Sequence, residues 1–473
     1  MYCYDYDIVK NILHEFSYYF YSPYGNRWFF MIQQKNRPLN KQDYKTLTLA
    51  ALGGALEFYD FIIFVFFAVV IGQLFFPSEM PQWLVLMQTY GIFAAGYLAR
   101  PLGGIIMAHF GDLVGRKRMF SLSILLMALP TLAMGMLPTY ETIGIAAPLL
   151  LLLMRILQGA AIGGEVPGAW VFVAEHVPNR RIGIACGVLT AGLTIGILLG
   201  SFIATLINSS MSIETIHQYG WRIPFFMGGI FGLVAMYLRR WLKETPVFVE
   251  MQQRKALAAE LPLKSVVMNY PRAVVVSMLL TWLLSAGIVV VILMTPNYLQ
   301  TQFGIDRVIA LKANSVAIIA LCVGCVLSGL AADRFGASKT FIGGSLMLAV
   351  ASWVFYHSAT NVDLLFITYG IAGLCVGVVG AVPFVMVRAF PAVVRFSGLS
   401  FSYNVSYAIF GGLTPVCVTY IMKLTPMAPA YYVLALSIMG FLLGVYLRND
   451  LNETEAPLVS AAPKVEEGST VVG

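Results

Sequence analysis

The sequence predicts an all-α polytopic membrane protein with twelve transmembrane helices in two pseudo-symmetric bundles of six. Three observations support this fold class: an apolar composition, twelve long apolar runs, and loops that alternate between basic and nearly uncharged. Of the 473 residues, 59% are hydrophobic and only 11% are charged, whereas a soluble domain is about 25% charged. This composition excludes an ordinary soluble enzyme and a nucleic-acid-binding protein.

The apolar runs are each long enough for a helix that crosses a bilayer. About 20 apolar residues span the ~30 Å hydrocarbon layer. A lipid-embedded segment must be helical, because its backbone N–H and C=O groups have no water to bind. The twelve runs cover residues 46–76, 83–110, 119–138, 144–174, 182–207, 222–242, 273–296, 308–331, 340–357, 364–387, 397–421 and 430–447.

The loops predict how these helices are oriented. Basic residues concentrate in every second connection, at 116–118, 180–181, 239–264, 334–339 and 388–395. The net charge of +7 is therefore a topology signal, because basic loops stay on the cytoplasmic side. The pattern predicts a multi-pass membrane protein with both termini cytoplasmic.

The chain also predicts a duplicated organisation. The string GDLVGRKR follows the second run and ADRFGASK follows the eighth, and such repeats are typical of transporters built from two halves around a central site. An alternative for the first residues is that the natural chain starts at Met31. The predicted segments are a cytoplasmic or interfacial extension (1–45), an N-terminal six-helix bundle (46–242), a cytoplasmic inter-bundle loop (243–264), a C-terminal six-helix bundle (265–448) and a disordered cytoplasmic tail (449–473).

Five charged side chains fall well inside apolar runs: Glu57, Asp60, Arg100, Arg155 and Glu165. Each costs about 2.5–3.5 kcal/mol on insertion scales, so each needs a reason. Glu57 and Asp60 lie roughly 16–21 Å along the first helix, near the midplane, and they share one face. Their repulsion favours protonation of one carboxyl, which predicts a proton carrier. The alternative is that the five charges form ion pairs that only hold the bundle together.

The arginines predict a site for an anionic group. Because an arginine stays protonated, Arg100 and Arg155 are suited to pair with a carboxylate. Polar candidates in the second half are Trp282, Tyr298, Tyr369, Tyr403, Asn404 and Tyr407, for which the alternative is packing. The predicted binding residues are Tyr59, Arg100, Arg155, Gln158, Glu165, Tyr298, Tyr403 and Asn404.

Six strings then point to a family: EFYDF at 57–61, GYLARPLGG at 96–104, RILQGAAIGGE at 155–165, GWRIPF at 220–225, KETPVF at 243–248 and FGGLTP at 410–415. With GDLVGRKR, they make residues 46–448 resemble the major facilitator superfamily. Within it, the chain is similar to the metabolite:proton symporters, whose members carry 2-oxoglutarate, citrate, shikimate or proline and betaine. The resemblance implies a location in the bacterial inner (cytoplasmic) membrane. It also implies alternating access, in which two halves rock about a midplane site.

The resemblance also implies a conformational latch. Asp112 would lie at a helix N-terminus of the opposite half, where an anion is favoured by roughly 0.3–1 kcal/mol, and Arg116 would pair with Glu175. The alternative is a basic loop that only sets topology. The predicted latch residues are Gly111, Asp112, Gly115, Arg116, Lys117, Glu175, Asp333, Arg334 and Gly336.

The predicted function is proton-coupled symport of a small organic anion or zwitterion by alternating access, and not an enzymatic reaction. No cofactor or metal is expected, and the nucleotide-binding pattern GxxxxGK[ST] does not occur in the sequence. The expected partners are a small-molecule metabolite, protons and the bilayer, with no nucleic acid, and the protein is expected to be a monomer. Two alternatives stay open: an exporter of amphipathic or siderophore-like metabolites, and a non-transporting membrane sensor on the same scaffold.

Overall fold

The structure is a computed structural model of the chain. It describes residues 41–114, 116–163, 165–239, 262–391 and 394–450. Every regular element within these ranges is helical. Most of the predicted N-terminal extension, most of the predicted inter-bundle loop and nearly all of the predicted tail lie outside the described residues.

Twelve helical segments coincide with the twelve predicted runs, and short helices, including Tyr140–Ile143, Ile213–Gln218 and Pro262–Asn269, lie between them. The first six are α1 (Lys41–Phe66 and Ala68–Phe75), α2 (Gln82–Val114), α3 (Arg116–Met136), α4 (Ala146–Ile162 and Glu165–His176), α5 (Ile182–Ser210) and α6 (Ile223–Arg239). The second six are α7 (Pro271–Ile288, Val289–Met294 and Thr295–Phe303), α8 (Arg307–Phe335), α9 (Ala337–Ser358), α10 (Val362–Val376, Gly377–Ala381 and Val382–Ala389), α11 (Arg395–Ser406, Tyr407–Gly411 and Gly412–Met422) and α12 (Ala428–Asp450).

Length and hydropathy alone identify most of these segments as membrane spans. Among the described residues, nine helical segments are long and apolar enough to cross a bilayer, and α2, α3 and α6 complete the twelve predicted positions. Large apolar side chains on the outer faces are exposed, including Leu102, Leu149, Leu206, Val323 and Met347. Such faces are stable only against lipid, because water would leave large apolar patches uncovered.

Helix packing repeats with an offset of six helices. The pairs α2–α4 and α3–α6 of the first half reappear as α8–α10 and α9–α12 in the second. Between the halves, α5 packs along α8 and α2 packs along α11, and these two contacts are also equivalent under the same offset. The predicted duplication is therefore visible in the packing.

Glycines bring α2 and α4 into backbone contact. A Cβ atom at Gly159 would overlap the carbonyl of Gly96, and one at Gly163 would overlap the carbonyl of Arg100. Small residues at a membrane helix interface permit this close approach. The contact holds Arg100 on α2 beside the helix that carries Arg155.

Two helices of the second half contain a π-helical turn. Val289–Met294 forms one in α7 and Tyr407–Gly411 forms the other in α11. A π turn adds a residue to the helical turn, which changes the direction of the side chains that follow, and such turns are frequent at functional sites. The turn in α11 begins at Tyr407, a residue that contacts α2.

Candidate functional site

Arg100 lies buried where α2 meets α11, and aromatic rings surround its guanidinium. The guanidinium carbon lies 4.9 Å from the ring centroid of Tyr407, 5.3 Å from Tyr97, 5.6 Å from Tyr403 and 5.8 Å from Phe61. We call these four side chains the ring cluster. Only 2% of Arg100 is exposed, and its Nε has no hydrogen-bond partner among the described residues.

The ring cluster joins the two halves of the protein. Tyr97 precedes Arg100 by three residues, and Tyr403 and Tyr407 are four apart on α11, so each pair shares a helix face. The centroids of Tyr97 and Tyr407 are 5.3 Å apart, and those of Tyr403 and Tyr407 are 4.6 Å apart. Phe61 completes the cluster at 4.8 Å from Tyr97. A charge at this position therefore contacts both halves at once.

Asn404 forms a second link between the halves beside this cluster. Its Nδ2 donates to the carbonyl of Gly163 on α4 and to the carbonyl of Ser400, the latter at 2.9 Å. Its Oδ1 is buried and has no hydrogen-bond partner in the described part of the chain. The predicted residues Tyr403 and Asn404 are therefore both placed near Arg100.

Arg155 lies in a different environment, inside the first half. Its guanidinium carbon is 4.2 Å from the ring centroid of Phe61, 4.7 Å from Phe64 and 5.1 Å from Phe93. Its Nη1 donates to the carbonyl of Phe61 at 3.1 Å and to Oε1 of Gln158. Within the described ranges, its Nε and Nη2 have no hydrogen-bond partner.

Asp60 lies next to this arginine and also faces the interior of the first half. Its carboxylate is buried beside Thr131, Arg155 and Gln158. Gln158 Nε2 donates to Thr131 Oγ1 at 2.8 Å and to the backbone carbonyl of Asp60 at 3.2 Å. A Cβ atom at Gly228 of α6 would overlap Oδ1 of Asp60, and that oxygen has no hydrogen-bond partner among the residues described. Asp60 and Arg155 thus share one pocket, separate from the contact between the halves.

Other predicted binding residues lie away from both arginines. The Tyr59 hydroxyl donates to the carbonyl of Pro224 at 2.9 Å, which joins α1 to α6. The Tyr298 hydroxyl donates to the carbonyl of Pro426 at 3.0 Å within the second half. Trp282 stacks on Phe410, and Tyr369 donates to Asn314, also within that half. The side chains of Glu57 and Glu165 lie outside the described residues.

One end of the bundle carries the basic loops, and we call it the basic end; Arg180, Arg181, Arg334, Lys339 and Arg388 lie there. At this end Asp333, the last acid of α8, caps α5 of the opposite half. Its Oδ1 accepts the N–H of Gly183 at 2.7 Å and its Oδ2 accepts the N–H of Ile184 at 2.8 Å. A carboxylate at a helix N-terminus satisfies free N–H groups and is favoured by the helix dipole.

Two further contacts join the halves at the basic end. Arg395 of α11 pairs with Glu175 of α4 at 3.3 Å, and Arg388 donates to the carbonyl of Asn179 at 3.2 Å. Arg334 is exposed and lies over the ring of Phe335, and Gly336 ends α8 with a φ of 85°. The latch residues Gly111, Asp112, Gly115, Arg116 and Lys117 lie outside the residues whose side chains are described, so the pairing of Arg116 with Glu175 stays a prediction.

The opposite end is also bridged between the halves. Asn297 of α7 donates through Nδ2 to the carbonyl of Val65 at 3.0 Å and to the Tyr90 hydroxyl at 3.1 Å. Arg307 of α8 donates to Oδ1 of Asn208 on α5 at 3.0 Å. Contacts between the halves therefore lie on both sides of Arg100, as expected for an occluded arrangement.

Several residues at these sites were not predicted from the sequence, among them Phe61, Tyr97, Thr131 and Asn297. Charged residues inside apolar runs do not point to the aromatic or amide side chains around them. Tyr97 carried a signal, because it lies one turn from Arg100 on the same helix face. Asn297 directly follows the apolar run 273–296, so the cost of an unpartnered amide in lipid did not single it out.

Comparisons with known proteins agree with this architecture. The family model described as Major Facilitator Superfamily matches residues 50–415. The glycine betaine/proline/ectoine/pipecolic acid transporter OusA of Dickeya dadantii (strain 3937) is 31% identical over 443 residues, which are 89% of this chain and 86% of that protein. The proline/betaine transporter of Escherichia coli (strain K12) is 30% identical over 451 residues, 90% of this chain and 88% of that protein.

Among solved structures, the chain is similar to the xylose transporter XylE from E. coli in a partially occluded inward open conformation. The TM-score is 0.70 at 16% identity, covering 88% of this chain and 100% of that chain. This likeness shows the fold, and the predicted fold class is confirmed. The family and its relatives also confirm the prediction of a membrane transporter. The chain belongs to the Major Facilitator Superfamily.

Proposed function

We propose that this chain is a proton-coupled symporter of a small zwitterion of the proline or betaine type, working by alternating access in a bacterial inner membrane. One observation carries the proposal: a buried guanidinium, Arg100, lies where the halves meet, and a buried carboxylate, Asp60, lies in a separate pocket. The names of the relatives support this substrate class. The solved proton:xylose symporter with the same fold supports proton coupling.

Arg100 is the proposed partner of the substrate carboxylate. A guanidinium presents a planar fork of donors that matches a carboxylate, and the Nε of Arg100 has no partner among the described groups. Tyr403 and Asn404 lie beside it on α11, so a substrate held there contacts both halves. Arg155 is more deeply enclosed in the first half and remains a second proposal for this role.

Asp60 is the proposed proton carrier. It is a buried carboxyl, only 1% exposed, whose charged form is costly unless it is paired, and Arg155 is a cation that interacts with it. Protonation removes the charge of Asp60. Arg155 then keeps its hydrogen bonds to Gln158 and the Phe61 carbonyl. Glu57 remains an alternative carrier by its position three residues earlier.

The contacts at the two ends are the proposed gates. We propose that the basic end is cytoplasmic and that both termini lie on that side, in accordance with the positive-inside rule. Release of Asp333, Arg395 and Arg388 from the first half would open that end, and release of Asn297 would open the other. The undescribed copy of the latch at Asp112 is proposed to act in the same way. The halves that move are residues 46–242 and 265–448, and the working unit is a monomer.

Uptake into proteoliposomes under an imposed pH gradient tests this function. Labelled glycine betaine and proline are expected to accumulate when the outside is acidic, and dissipation of the gradient is expected to abolish accumulation. Efflux without uptake would favour the exporter, and binding without flux would favour the sensor. Gradient-independent uptake would contradict proton coupling.

The variant Asp60→Asn assigns the proton site. It is expected to abolish gradient-driven accumulation while counterflow exchange survives, because exchange needs the substrate site but no net proton movement. Asp363→Asn is the matched control, since Asp363 is exposed at the start of α10. Accumulation by Asp60→Asn at the wild-type level would remove Asp60 from the proton path.

A further inference from the structure

We propose that the ring cluster is a subsite for the methylated ammonium group of the substrate, and that the Arg100 guanidinium fills this subsite in the present structure. The inference rests on the proposed function, because it concerns the same substrate, but it assigns the cationic end of that substrate instead of its carboxylate. The chemical class that the subsite recognises is a quaternary ammonium group.

The geometry is that of a cation enclosed by π faces. A cation within about 6 Å of an aromatic centroid is attracted by the ring quadrupole, and four centroids lie between 4.9 and 5.8 Å from the guanidinium carbon of Arg100. Phe61 and Tyr97 come from the first half, and Tyr403 and Tyr407 come from the second. The ring cluster is therefore a complete cage for a cation only while α2 and α11 are in contact.

A methylated ammonium matches the chemistry of this cage better than a primary amine. Its nitrogen has no N–H group, so it needs no hydrogen-bond acceptor, and its methyl groups can pack directly on ring faces. A primary amine has three N–H donors, and the ring faces supply no acceptor for them. The Asn404 Oδ1 and Tyr403 hydroxyl beside them, which have no hydrogen-bond partner within the segments that the structure describes, could take only part of that set, so leaving water stays costly in a buried site. The guanidinium is itself a weakly hydrated cation that stacks on aromatic faces. Its position among the four rings therefore indicates that they attract a weakly hydrated cation.

A zwitterion supplies both charges that an exchange of cations requires. Its carboxylate draws the Arg100 guanidinium off the rings, and its ammonium takes the ring faces that the guanidinium leaves. The substrate carboxylate then lies between two positive groups. A simple carboxylate would draw Arg100 away and leave the ring faces without a cation. The exchange therefore favours a betaine over an anion of the same shape.

A pair of isosteric probes tests the proposal on the purified full-length protein. Glycine betaine and 3,3-dimethylbutanoate share a carboxylate and a trimethyl head, but the head of the second is uncharged. Wild-type protein is expected to bind glycine betaine at least ~10-fold more tightly in isothermal titration, as cation–π contacts in a desolvated site imply. Tyr407→Leu is expected to lose most of this preference, whereas Tyr407→Phe keeps it because the ring face remains.

Two further variants distinguish an effect on ligand binding from an effect on folding. Tyr403→Leu tests the same preference at a second ring, and Tyr420→Leu is the matched control, because Tyr420 is an exposed tyrosine on the same helix. The preference for the charged probe is expected to fall in the first and to persist in the second. A thermal unfolding curve for each variant separates loss of the cage from loss of the fold.

The outcomes separate this inference from the proposed function. If wild-type protein accumulates glycine betaine with the pH gradient but binds both probes equally, the cage is wrong and the symporter stands. The cage is also wrong if Tyr407→Leu and Tyr403→Leu both fold and keep the full preference for glycine betaine over 3,3-dimethylbutanoate. If wild-type protein neither binds nor transports glycine betaine, the cage and the proposed substrate fall together.

Discussion

Arg100 and Arg155 approach the same phenyl ring, that of Phe61, with their guanidinium carbons 5.8 and 4.2 Å from its centroid. Phe61 directly follows Asp60 on α1, and its carbonyl accepts a hydrogen bond from Arg155 at 3.1 Å. One residue therefore contacts both the proposed substrate arginine and the arginine of the proposed proton pocket. Arg100 packs on the Phe61 ring, and Arg155 holds the Phe61 backbone. A movement of Arg100 therefore changes the packing of a residue bound to Arg155, which provides a physical route for coupling substrate binding to the protonation of Asp60.

The first prediction concerns this shared ring. Phe61→Leu keeps an apolar side chain but removes the π face from both arginines. Accumulation driven by the pH gradient is expected to fall several-fold, and to fall further than counterflow exchange, which loses one of the four rings of the ring cluster but needs no net proton movement. Both activities are measured in the same proteoliposomes. Phe66→Leu is the matched control, because Phe66 lies on the same helix against Gly200 of α5. Equal loss of both activities would argue against a role in coupling.

The second prediction concerns the cap of α5 at the basic end. Asp333→Asn loses the charge and one of the two acceptors for Gly183 and Ile184, at a cost of about 1 kcal/mol. This end is therefore expected to open more often, roughly 5-fold for that energy.

The native Cys186 is a suitable reporter of this opening. It is buried on α5, two residues beyond the capped N–H of Ile184. In protein whose other cysteines are replaced by serine, a membrane-permeant maleimide is expected to label Cys186 faster when Asp333→Asn is present. Asp363→Asn serves as the control, and unchanged labelling in Asp333→Asn would mean that the cap does not hold this end closed.

The third prediction concerns the opposite end. Asn297→Ala removes the hydrogen bonds to the Val65 carbonyl and the Tyr90 hydroxyl, together worth about 1–2 kcal/mol, and leaves both buried partners without this donor until the end opens to water. A cysteine introduced at Thr301, one turn further along α7, is expected to react faster with an impermeant thiol reagent. Asn361→Ser is the control, because Asn361 caps α10 within one half. Slower or equal reaction would contradict a gate at Asn297.

The fourth prediction concerns the close contact of α2 and α4. Gly159→Ala places a methyl group against the Gly96 carbonyl, and overpacking of this kind typically costs about 1–3 kcal/mol. The thermal unfolding midpoint is expected to fall. Gly91→Ala on α2 is the matched control, since a Cβ atom there has no neighbour within 4 Å. An unchanged midpoint for Gly159→Ala would show that the helices can separate at little cost.

The pattern of apolar runs was enough to place the twelve helices, and the charges within those runs were enough to single out the residues that needed an explanation. Hydrocarbon leaves a spanning backbone one way to satisfy its polar groups, so apolar runs convert directly into helices, and all twelve predicted runs coincide with described helices. The cost of a charge in lipid singled out Asp60, Arg100 and Arg155 without any coordinates. The six family strings pointed to the superfamily in the same way.

The direction in which these side chains face became clear from helix packing. The two arginines were placed at comparable depth from the sequence, yet Arg100 faces α11 across the contact between the halves and Arg155 faces the interior of the first half. Tyr403 and Tyr298 were equally good candidates for the binding site by sequence. Helix packing places Tyr403 beside Arg100 and Tyr298 beside Pro426. The physical reason is that a membrane helix is apolar on its buried and its lipid-facing sides alike, so hydrophobic periodicity does not fix its rotation.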